Sequence, residues 1–359
     1  MDASRTAPPP PPAHGAARHA HPPHATRAPR TLPPVPPQAP GAPAIAGAAD
    51  TLVAEIMAGL RAPQRHLPCK LLYDERGAEL FERITTLDAY YPTRTELGIF
   101  QRALPEIAAA IGPHARVVEF GSGSGRKTRL LLHALDRPAA YAPVDISRAQ
   151  LDATAASLAG EFPALHVTPV AADYTADFQL PLLPVSAGPT LAFFPGSTIG
   201  NFEPEEALRF LRHIASLVGD DGALLIGVDL VKDIATLERA YNDPQGVTAA
   251  FNLNVLSHVN HICGTDFRLP HFHHRAIYDP RASRIEMRLV CRHAHVVRVP
   301  GSPAPLFFRP AEYIVTEHSY KYQPVAFSDL ARSAGFSVQA SWTDPRRWFG
   351  VYLLARQWR

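Results

Sequence analysis

The stretch that most constrains the fold is residues 116–129, where a short apolar segment runs into closely spaced glycines. Val117–Phe120 is β-branched or aromatic at three of its four positions and predicts a buried strand. The segment that follows the glycines, Lys127–Leu135, predicts a helix. Between the two lie Gly121, Gly123 and Gly125. Glycine lets the backbone approach a ligand, and a helix N-terminus offers free N–H groups, so the stretch predicts a nucleotide-type cofactor site.

The glycine spacing and two acidic residues narrow the kind of cofactor. The spacing is G-x-G-x-G, whereas dinucleotide sites have G-x-G-x-x-G. Glu119 stands just before the first glycine, and Asp145 follows the next predicted strand, where an acidic residue can bind a ribose diol. Together these features fit an adenosyl cofactor that has no pyrophosphate, which we interpret as S-adenosylmethionine. An ordinary glycine turn in an α/β protein is the alternative.

Composition excludes several classes of protein. The 35 basic and 33 acidic residues nearly balance, so no bulk charge favours a nucleic acid or a membrane as partner. The cysteines, Cys69, Cys263 and Cys291, show neither a disulfide pattern nor metal-ligand spacing. We therefore expect a cytoplasmic protein without a metal. No apolar run approaches the roughly 20 residues that span a bilayer, and no secretion signal is visible.

The N-terminal segment differs in composition from the rest. Residues 1–45 contain 14 of the 37 prolines and, apart from Leu32, Val35 and Ile45, have almost nothing to bury. Such a segment cannot bury enough surface to offset the entropy that ordering costs. We predict a disordered tail over residues 1–48.

Alternating strands and helices follow from Val117 onward, which is typical of a parallel sheet covered on both faces. The predicted strands are Val117–Phe120, Tyr141–Val144, His166–Val170, Thr190–Phe194 and Ala223–Val228. The alternation lapses after Asp229, and a helix and hairpin close the chain. We predict an α/β protein, a Rossmann-like doubly wound sheet with an inserted α+β domain. The predicted parts are substrate-binding residues 49–95, core 96–230, inserted substrate-binding residues 231–321 and returning core 322–359.

Local signals give three further expectations. Asp50 is the expected N-cap of the first helix, and Thr93 with Glu96 is the expected capping box of the third. The histidines at positions 271, 273 and 274 have no carboxylate or cysteine at metal-ligand spacing, so we interpret them as a polar loop.

Several longer strings give a specific resemblance. They are Tyr73–Gly77, Tyr90–Glu96, Gly196–Asn201, Asp229–Asp233, Tyr241–Asp243, Val247–Asn254, Arg284–Met287 and Thr316–Ser319. These strings resemble the histidine-specific S-adenosylmethionine methyltransferases, over residues 50–359. The resemblance implies a class I methyltransferase core. It also implies trimethylation of the α-amine of L-histidine to hercynine, the first step of ergothioneine biosynthesis, with mono- and dimethylated histidine as intermediates.

The resemblance also implies roles for single residues. The implied cofactor-binding residues are Gly121, Lys127, Asp145, Asp173 and Tyr174. In the substrate site Asn201 and Tyr241 match a pair that holds the α-carboxylate. Glu317 and Ser319 match a pair that grips the imidazole, with Tyr91 nearby. Met287 matches a residue against the imidazole pocket, and Tyr73 matches a catalytic tyrosine facing the amine.

Physical chemistry supports such a site. Asn and Tyr are neutral donors, so we expect the carboxylate to be held without a cation beside the positively charged methyl donor. The pKa of a free α-amine lies near 8, so no strong base is required and positioning should dominate. Two alternatives stay open: an enzyme of the same family that methylates the α-amine of another amino acid such as tryptophan, or a non-catalytic cofactor-binding module. We expect the protein to be a monomer.

Overall fold

The computed structural model describes residues 45–357, apart from residues 122, 124, 176–177, 179, 182–187 and 303. Most of the predicted tail therefore lies outside the described residues. Positions 45–48 do not belong to it, since helix α1 spans Ile45–Arg61. Its first turn is rich in alanine, the strongest helix former. None of the described helices is both long and apolar enough to cross a membrane.

The remaining helices lie between and around the strands. They are α2 (Glu75–Thr85), α3 (Tyr91–Ile111), α4 (Arg126–Ala134), α5 (Arg148–Glu161), α6 (Pro204–Val218), α7 (Ile234–Tyr241), α8 (Val247–Cys263) and α9 (Pro324–Ser333). Two predicted caps are wrong. Asp50 lies inside α1, and Tyr90 rather than Thr93 is the N-cap of α3, with a proline in its first turn. Glu96 does not cap the helix, because its side chain is buried and forms an ion pair with Lys127.

The strands form one large and two small sheets. They are β1 (Arg116–Phe120), β2 (Ala140–Asp145), β3 (His166–Val167), β4 (Val170–Ala171), β5 (Thr190–Phe194), β6 (Ala223–Asp229), β7 (Phe272–Asp279), β8 (Arg284–Cys291), β9 (His295–Val297), β10 (Leu306–Phe308), β11 (Tyr313–Tyr320), β12 (Phe336–Thr343) and β13 (Phe349–Arg356). The predicted third strand is thus two short ones. The closing hairpin, β12 and β13, is as expected.

The large sheet has the order β12-β13-β6-β5-β1-β2-β3, with β4 also paired to β2. All neighbours are parallel except β13, which is antiparallel to β6 and β12. Val117 and Val118 are both fully buried and belong to separate apolar cores on the two faces of the sheet. This confirms the doubly wound α/β fold. Because the strand order reverses between β1 and β5, ligands are expected at the carboxyl ends of these strands.

A three-stranded antiparallel sheet, β11-β8-β7, lies in the region where the alternation lapses. Its apolar side chains share a third core with the N-terminal helices and α8. The expectation of a polar loop at the histidines is wrong, since His273 and His274 lie in β7. Because these histidines are polar, their sequence does not indicate a strand. In the structure α8 packs over β7, and His274 has buried hydrogen-bond partners. The domain boundaries within residues 49–359 stay a prediction.

The two sheets meet along a seam at the ends of β6 and β11. The backbone N–H of Tyr322 donates to Asp229 O (3.0 Å), and that of Val231 donates to Tyr322 O (3.1 Å). Nearby, a Cβ on Gly200 would lie 2.7 Å from the carbonyl oxygen of Tyr320, so this approach requires glycine. The seam brings the carboxyl end of the large sheet against the small one.

Candidate functional site

The glycine turn after β1 has the backbone that its sequence predicts. Gly121, Gly123 and Gly125 have φ values of 72°, 47° and 67°, in the left-handed region that favours glycine. Gly125 is the N-cap of α4. The hydroxyl of Tyr174 lies 3.5 Å from the position that a Cβ on Gly121 would take. The predicted cofactor residues Gly121 and Tyr174 are therefore neighbours.

Asp145 and Asp173 flank this turn, and they differ in the hydrogen bonds that their carboxylates already accept. Asp145 accepts backbone bonds from Ser147 N (3.0 Å) and from Ile146, and burial raises its pKa above the ordinary value. Although partial burial raises the pKa of Asp173, hydrogen bonds from Thr175 and the nearby Lys70 outweigh this and hold it below the ordinary value. Asp145 thus has unused acceptor capacity at the end of β2.

Glu119 has a different place from the one that its position at the strand end suggests. Its side chain is 1% exposed and accepts from Thr128 Oγ1 (2.6 Å) and Tyr141 Oη (2.5 Å). Burial raises the pKa of Glu119 to about 7. The carboxyl group holds β1, β2 and α4 together, so the interpretation of Glu119 as a ligand group is wrong.

Lys127, predicted to bind cofactor, forms an ion pair behind the turn. Its Nζ lies 2.5 Å from Glu96 Oε2, and the Glu96 side chain is fully buried. The carboxylate also accepts from the backbone N–H of Gly196 at 2.9 Å. Glu96 therefore ties α3, the glycine turn and the loop after β5 to one another. A direct contact between Lys127 and cofactor stays a prediction.

A cavity lies beside the seam. Most of the predicted substrate residues line it: Tyr73, Asn201, Tyr241, Met287, Glu317 and Ser319. They come from the segment before α2, the loop after β5, the end of α7, and strands β8 and β11. The sequence therefore brings together side chains from opposite ends of the chain.

Tyr91 is the exception among the predicted substrate residues. Its neighbour Tyr90 lines the cavity, whereas Tyr91 is 1% exposed and packs edge-on against Trp348. The Tyr91 hydroxyl donates to Asp229 (2.6 Å) and accepts from Lys232 Nζ (2.6 Å). Successive side chains diverge at the start of α3, which leaves Tyr90 at the cavity surface and Tyr91 behind it.

Buried charges surround Asp229, which is 1% exposed. Lys232 Nζ lies 2.6 Å from one carboxylate oxygen, and Lys321 Nζ lies 3.0 Å from the other. Burial by itself raises the pKa of Asp229, but the two lysines outweigh it and hold the pKa below the ordinary value. Burial lowers the pKa of Lys232 to about 8. The expectation of a site without a cation is wrong, because two lysines share this one carboxylate.

Lys321 links that carboxylate to the predicted ligand-binding hydroxyls. Its Nζ donates to Tyr241 Oη at 2.9 Å and to Ser319 Oγ at 2.7 Å. The two hydroxyl oxygens lie 2.9 Å apart. Burial raises the pKa of Tyr241 well above its ordinary value, so this hydroxyl keeps its hydrogen. The cavity therefore has a cluster of donors at one end.

Glu317 occupies a contrasting position in the same cavity. It is 8% exposed, and burial raises its pKa to about 7 although Lys321 opposes the rise. Within the described part of the chain, no side chain or backbone group hydrogen-bonds its carboxylate. Glu317 lies opposite Met287 across the β8–β11 pair. An acceptor beside an apolar side chain can receive an N–H from a flat heterocycle.

Aromatic rings form another wall of the cavity. The ring of Tyr73 lies edge-on to those of Phe81 and Phe251, with centroids 5.5 and 5.6 Å away. Gly77 makes the turn that carries Tyr73 possible, since a Cβ there would lie 1.8 Å from Leu72 O. Such a wall is suited to a methylated amine, because aromatic faces attract cations.

A hydrogen-bond chain behind the cavity fixes two of its walls. His274 Nε2 donates to the backbone carbonyl of Tyr241 (2.7 Å), which leaves Nδ1 to accept from Asn252 Nδ2 (2.9 Å). Burial lowers the pKa of His274, which favours this neutral form. Thr316 Oγ1 donates to Asn252 Oδ1 (2.5 Å). Asn252 thus connects the end of α7 to the strand that carries Glu317.

Sequence reasoning missed the charged centre of the cavity. Lys321 follows Glu317 and Ser319 at alternate positions, and alternate residues of a strand share one face. That spacing is the signal that finds Lys321. Asp229 ends a strand of the large sheet, as Asp145 does, and the same rule finds it. Over the described residues there is no group of His, Cys, Asp and Glu arranged for a metal ion.

Comparison with known proteins gives a consistent result. A family model described as "Histidine-specific methyltransferase, SAM-dependent" matches residues 52–356. A histidine N-alpha-methyltransferase of Mycolicibacterium smegmatis is 39% identical over 316 residues, 87% of this chain and 97% of that protein. Ergothioneine biosynthesis protein 1 of Neurospora crassa is 32% identical over 310 residues, 81% of this chain and 33% of the relative. A 4-dimethylallyltryptophan N-methyltransferase of Aspergillus fumigatus is 28% identical over 320 residues, 84% of this chain and 92% of the relative.

Proposed function

We propose that this chain, which belongs to the family of histidine-specific, S-adenosylmethionine-dependent methyltransferases, methylates the α-amine of L-histidine three times to give hercynine. The chain is an S-adenosylmethionine-dependent N-methyltransferase. The observation that carries the finer proposal is the cavity beside the seam. It has an unengaged carboxylate, Glu317, at a short distance along β11 from the hydroxyl of Ser319.

The residues at the carboxyl edge of the large sheet fit S-adenosylmethionine. The left-handed backbone at Gly121 lets a ligand approach the main chain, and Asp145 has a carboxylate oxygen available for the ribose hydroxyls. Tyr174 and Asp173 stand beside this turn. We propose that these residues, with Lys127, hold the cofactor. When bound, S-adenosylmethionine supplies a methyl group activated by a positively charged sulfur.

The substrate side chain is proposed to lie against β8 and β11. A neutral imidazole has one N–H donor and one acceptor nitrogen. Glu317 can accept the N–H, and Ser319 can donate to the other nitrogen, while Met287 packs against the ring. An indole offers an N–H but no acceptor nitrogen, so it would leave the donor unpaired. This complementarity favours histidine over tryptophan.

The α-amino acid group is proposed to lie towards the other wall of the cavity. Asn201 provides a donor for the α-carboxylate, Tyr241 can provide another when its hydroxyl does not donate to Ser319, and the positive charge of Lys321 favours the carboxylate further. Tyr73 and its aromatic neighbours then border the amine. An α-amine with a pKa near 8 loses its proton at small cost, so the residues act mainly by positioning and by excluding water. Each methyl transfer releases one proton overall.

We propose three transfers because the same geometry suits the methylated intermediates. Mono- and dimethylated histidine keep the carboxylate and the imidazole, so the two ends of the cavity can bind them as they bind histidine. An aromatic wall tolerates a growing cation better than a polar wall would. The place in ergothioneine biosynthesis is a proposal that rests on the name of the relative from Neurospora crassa.

The test is a substrate survey. Purified protein is incubated with S-adenosylmethionine and each of the twenty amino acids, and products are read by mass spectrometry. We expect trimethylated histidine, with three equivalents of S-adenosylhomocysteine formed. A preference for tryptophan in direct competition would favour the family alternative. The absence of any methylated product would favour a non-catalytic cofactor-binding module.

A further inference from the structure

Lys321 is a charged residue inside the cavity, and the proposed roles above do not explain its contacts with two hydroxyls. Its side chain is 1% exposed, and its ammonium lies 3.0 Å from Asp229 Oδ2. Two of its three N–H groups donate to hydroxyl oxygens, of Tyr241 and of Ser319. Burying a lysine costs free energy of desolvation, so we expect the arrangement to contribute to stability or to function.

Asp229 does not depend on Lys321 alone, because it has other partners. Lys232 Nζ lies 2.6 Å from its first carboxylate oxygen, and the Tyr91 hydroxyl donates to the second at 2.6 Å. The backbone N–H of Asp229 donates to Ser197 Oγ at 2.8 Å. With Lys321 removed, Asp229 would keep a cation and a hydroxyl donor. The carboxylate of Asp229 would then pair with one lysine, Lys232.

Counting donors and lone pairs shows what Lys321 does to the two hydroxyls. Each hydroxyl has one hydrogen and two lone pairs. Lys321 fills one lone pair on Tyr241 and one on Ser319. One of the two hydroxyls donates to the other across 2.9 Å, and that bond fills a third lone pair. One hydroxyl hydrogen is left over, and it has no acceptor among these three groups.

We propose that Lys321 is a positioning residue for substrate: anchored on Asp229, it turns the Tyr241–Ser319 hydroxyl pair into a donor directed at the bound amino acid. This inference rests on the proposed function. If Ser319 is the outward donor, the imidazole acceptor nitrogen receives the hydrogen. If Tyr241 is the outward donor, the α-carboxylate receives it. Without Lys321 the hydroxyl hydrogen that is left over can rotate towards the position of the ammonium, so it is no longer directed at the ligand.

The test is a double-mutant cycle on histidine binding. Lys321→Met is made in the wild-type protein and in the Tyr241→Phe, Ser319→Ala background. Histidine affinity is measured by calorimetry in the presence of S-adenosylhomocysteine. In the wild-type background we expect binding to weaken about 10- to 100-fold, because a charge-supported hydrogen bond is lost. In the background without hydroxyls the same change should weaken binding less than about threefold.

An equal loss in both backgrounds would overturn the proposal, because Lys321 would then act on its own charge or on the fold. Binding that is unchanged in the wild-type background would overturn it as well. Affinity for S-adenosylhomocysteine shows whether Lys321→Met has kept the fold. Should that variant not fold, Lys321→Arg takes its place in the cycle, since it keeps the charge beside Asp229 but cannot place two N–H groups alike.

Kinetics separate this proposal from the proposed function. For Lys321→Met we expect the KM for histidine to rise while kcat changes little, since the residue orients ligand and touches no reacting atom. A drop in kcat alone would contradict positioning. If wild-type protein methylates another amino acid instead of histidine, the proposed function fails. The same cycle, run with that amino acid, still decides the role of Lys321.

Discussion

The proposed cofactor edge, formed by the ends of β1 and β2 with the glycine turn, and the proposed substrate cavity each contain a buried glutamate, and the two differ in what surrounds them. Burial raises the pKa of both Glu119 and Glu317 to about 7. Glu119 accepts from Thr128 and Tyr141, whereas no described group hydrogen-bonds Glu317. One carboxyl group therefore completes a structural contact, and the other leaves a binding position open. A raised pKa alone does not separate structure from function; the hydrogen-bond partners do.

The regions also differ in how the chain builds them. The proposed cofactor edge comes from one strand–turn–helix unit, the strand after it and the segment after β4, so its residues all lie within residues 116–174. The cavity combines residues from before α2, from the loop after β5 and from β11. Local patterns therefore describe the first region well. The second depends on the contact between two sheets.

The largest expected effect sharpens this contrast. Glu317→Ala should lower kcat/KM for histidine. The activation free energy should rise by about 2–4 kcal/mol, because the ring N–H loses a charged acceptor inside a desolvated pocket. Activity towards an apolar amino acid should change much less. Glu119→Gln is the matched control, since it alters a glutamate of similar burial outside the cavity. Competition between histidine and tryptophan is the measurement.

Retention of full histidine preference in the Glu317→Ala protein would mean that the imidazole is held elsewhere. Met287→Val added to that variant should widen the pocket and move the preference towards an aromatic amino acid. The Glu119→Gln protein should keep the wild-type preference even where its overall activity falls.

A second prediction concerns pH and stability. Unfolded glutamate releases its proton near pH 4.5, whereas both buried glutamates keep theirs until about pH 7. The folded state binds more protons in this window, so the free energy of unfolding should fall as pH rises from 4.5 to 7. Each residue contributes about 3 kcal/mol of that fall. Denaturant titrations of Glu119→Gln and Glu317→Gln should each show a smaller loss.

Histidine distinguishes the two contributions. A ring N–H donated to Glu317 favours its ionised form, so saturating histidine should reduce the pH dependence that Glu317 causes and leave that of Glu119 in place. Equal responses of the two glutamates to histidine would break the contrast between the regions.

The cofactor edge has its own test, of a similar or smaller size. Asp145→Ala should weaken S-adenosylmethionine binding by roughly 1.5–3 kcal/mol, since a ribose diol loses a charged acceptor. Asp152→Ala is the control, because Asp152 is exposed on α5 and pairs with Arg148 at the surface. Calorimetry that finds unaltered affinity for Asp145→Ala would remove Asp145 from the cofactor site.

The smallest effect is expected at the N-terminus. Deletion of residues 1–44 should leave the melting temperature and the activity almost unchanged, because that segment is rich in proline and poor in large apolar side chains. Thermal unfolding of the shortened protein is the measurement. A fall of several degrees would show that the segment contributes to the fold or to one of the two sites.

Sequence patterns predicted the large sheet because strand, glycine turn and helix are decided within a few residues of each other. They located Glu317 and Ser319 through a resemblance, and missed Lys321 although it shares their strand face. They placed Tyr91 rather than Tyr90 near the substrate, since a one-residue difference at a helix start depends on tertiary packing. They misread His274 because its polar partners, Asn252 and the carbonyl of Tyr241, are distant in sequence.

The chain of bonds through Asn252 has a consequence for how relatives of this protein can diverge. Asn252 uses its amide oxygen for Thr316 and its amide nitrogen for His274, which in turn bonds the backbone at Tyr241. A change at any one of these side chains leaves a buried polar group of its neighbour without a hydrogen-bond partner. We expect the three to be inherited as a set. Lineages that alter the ring pocket in front of them can then vary Met287 freely while Asn252, His274 and Thr316 stay together or are exchanged together.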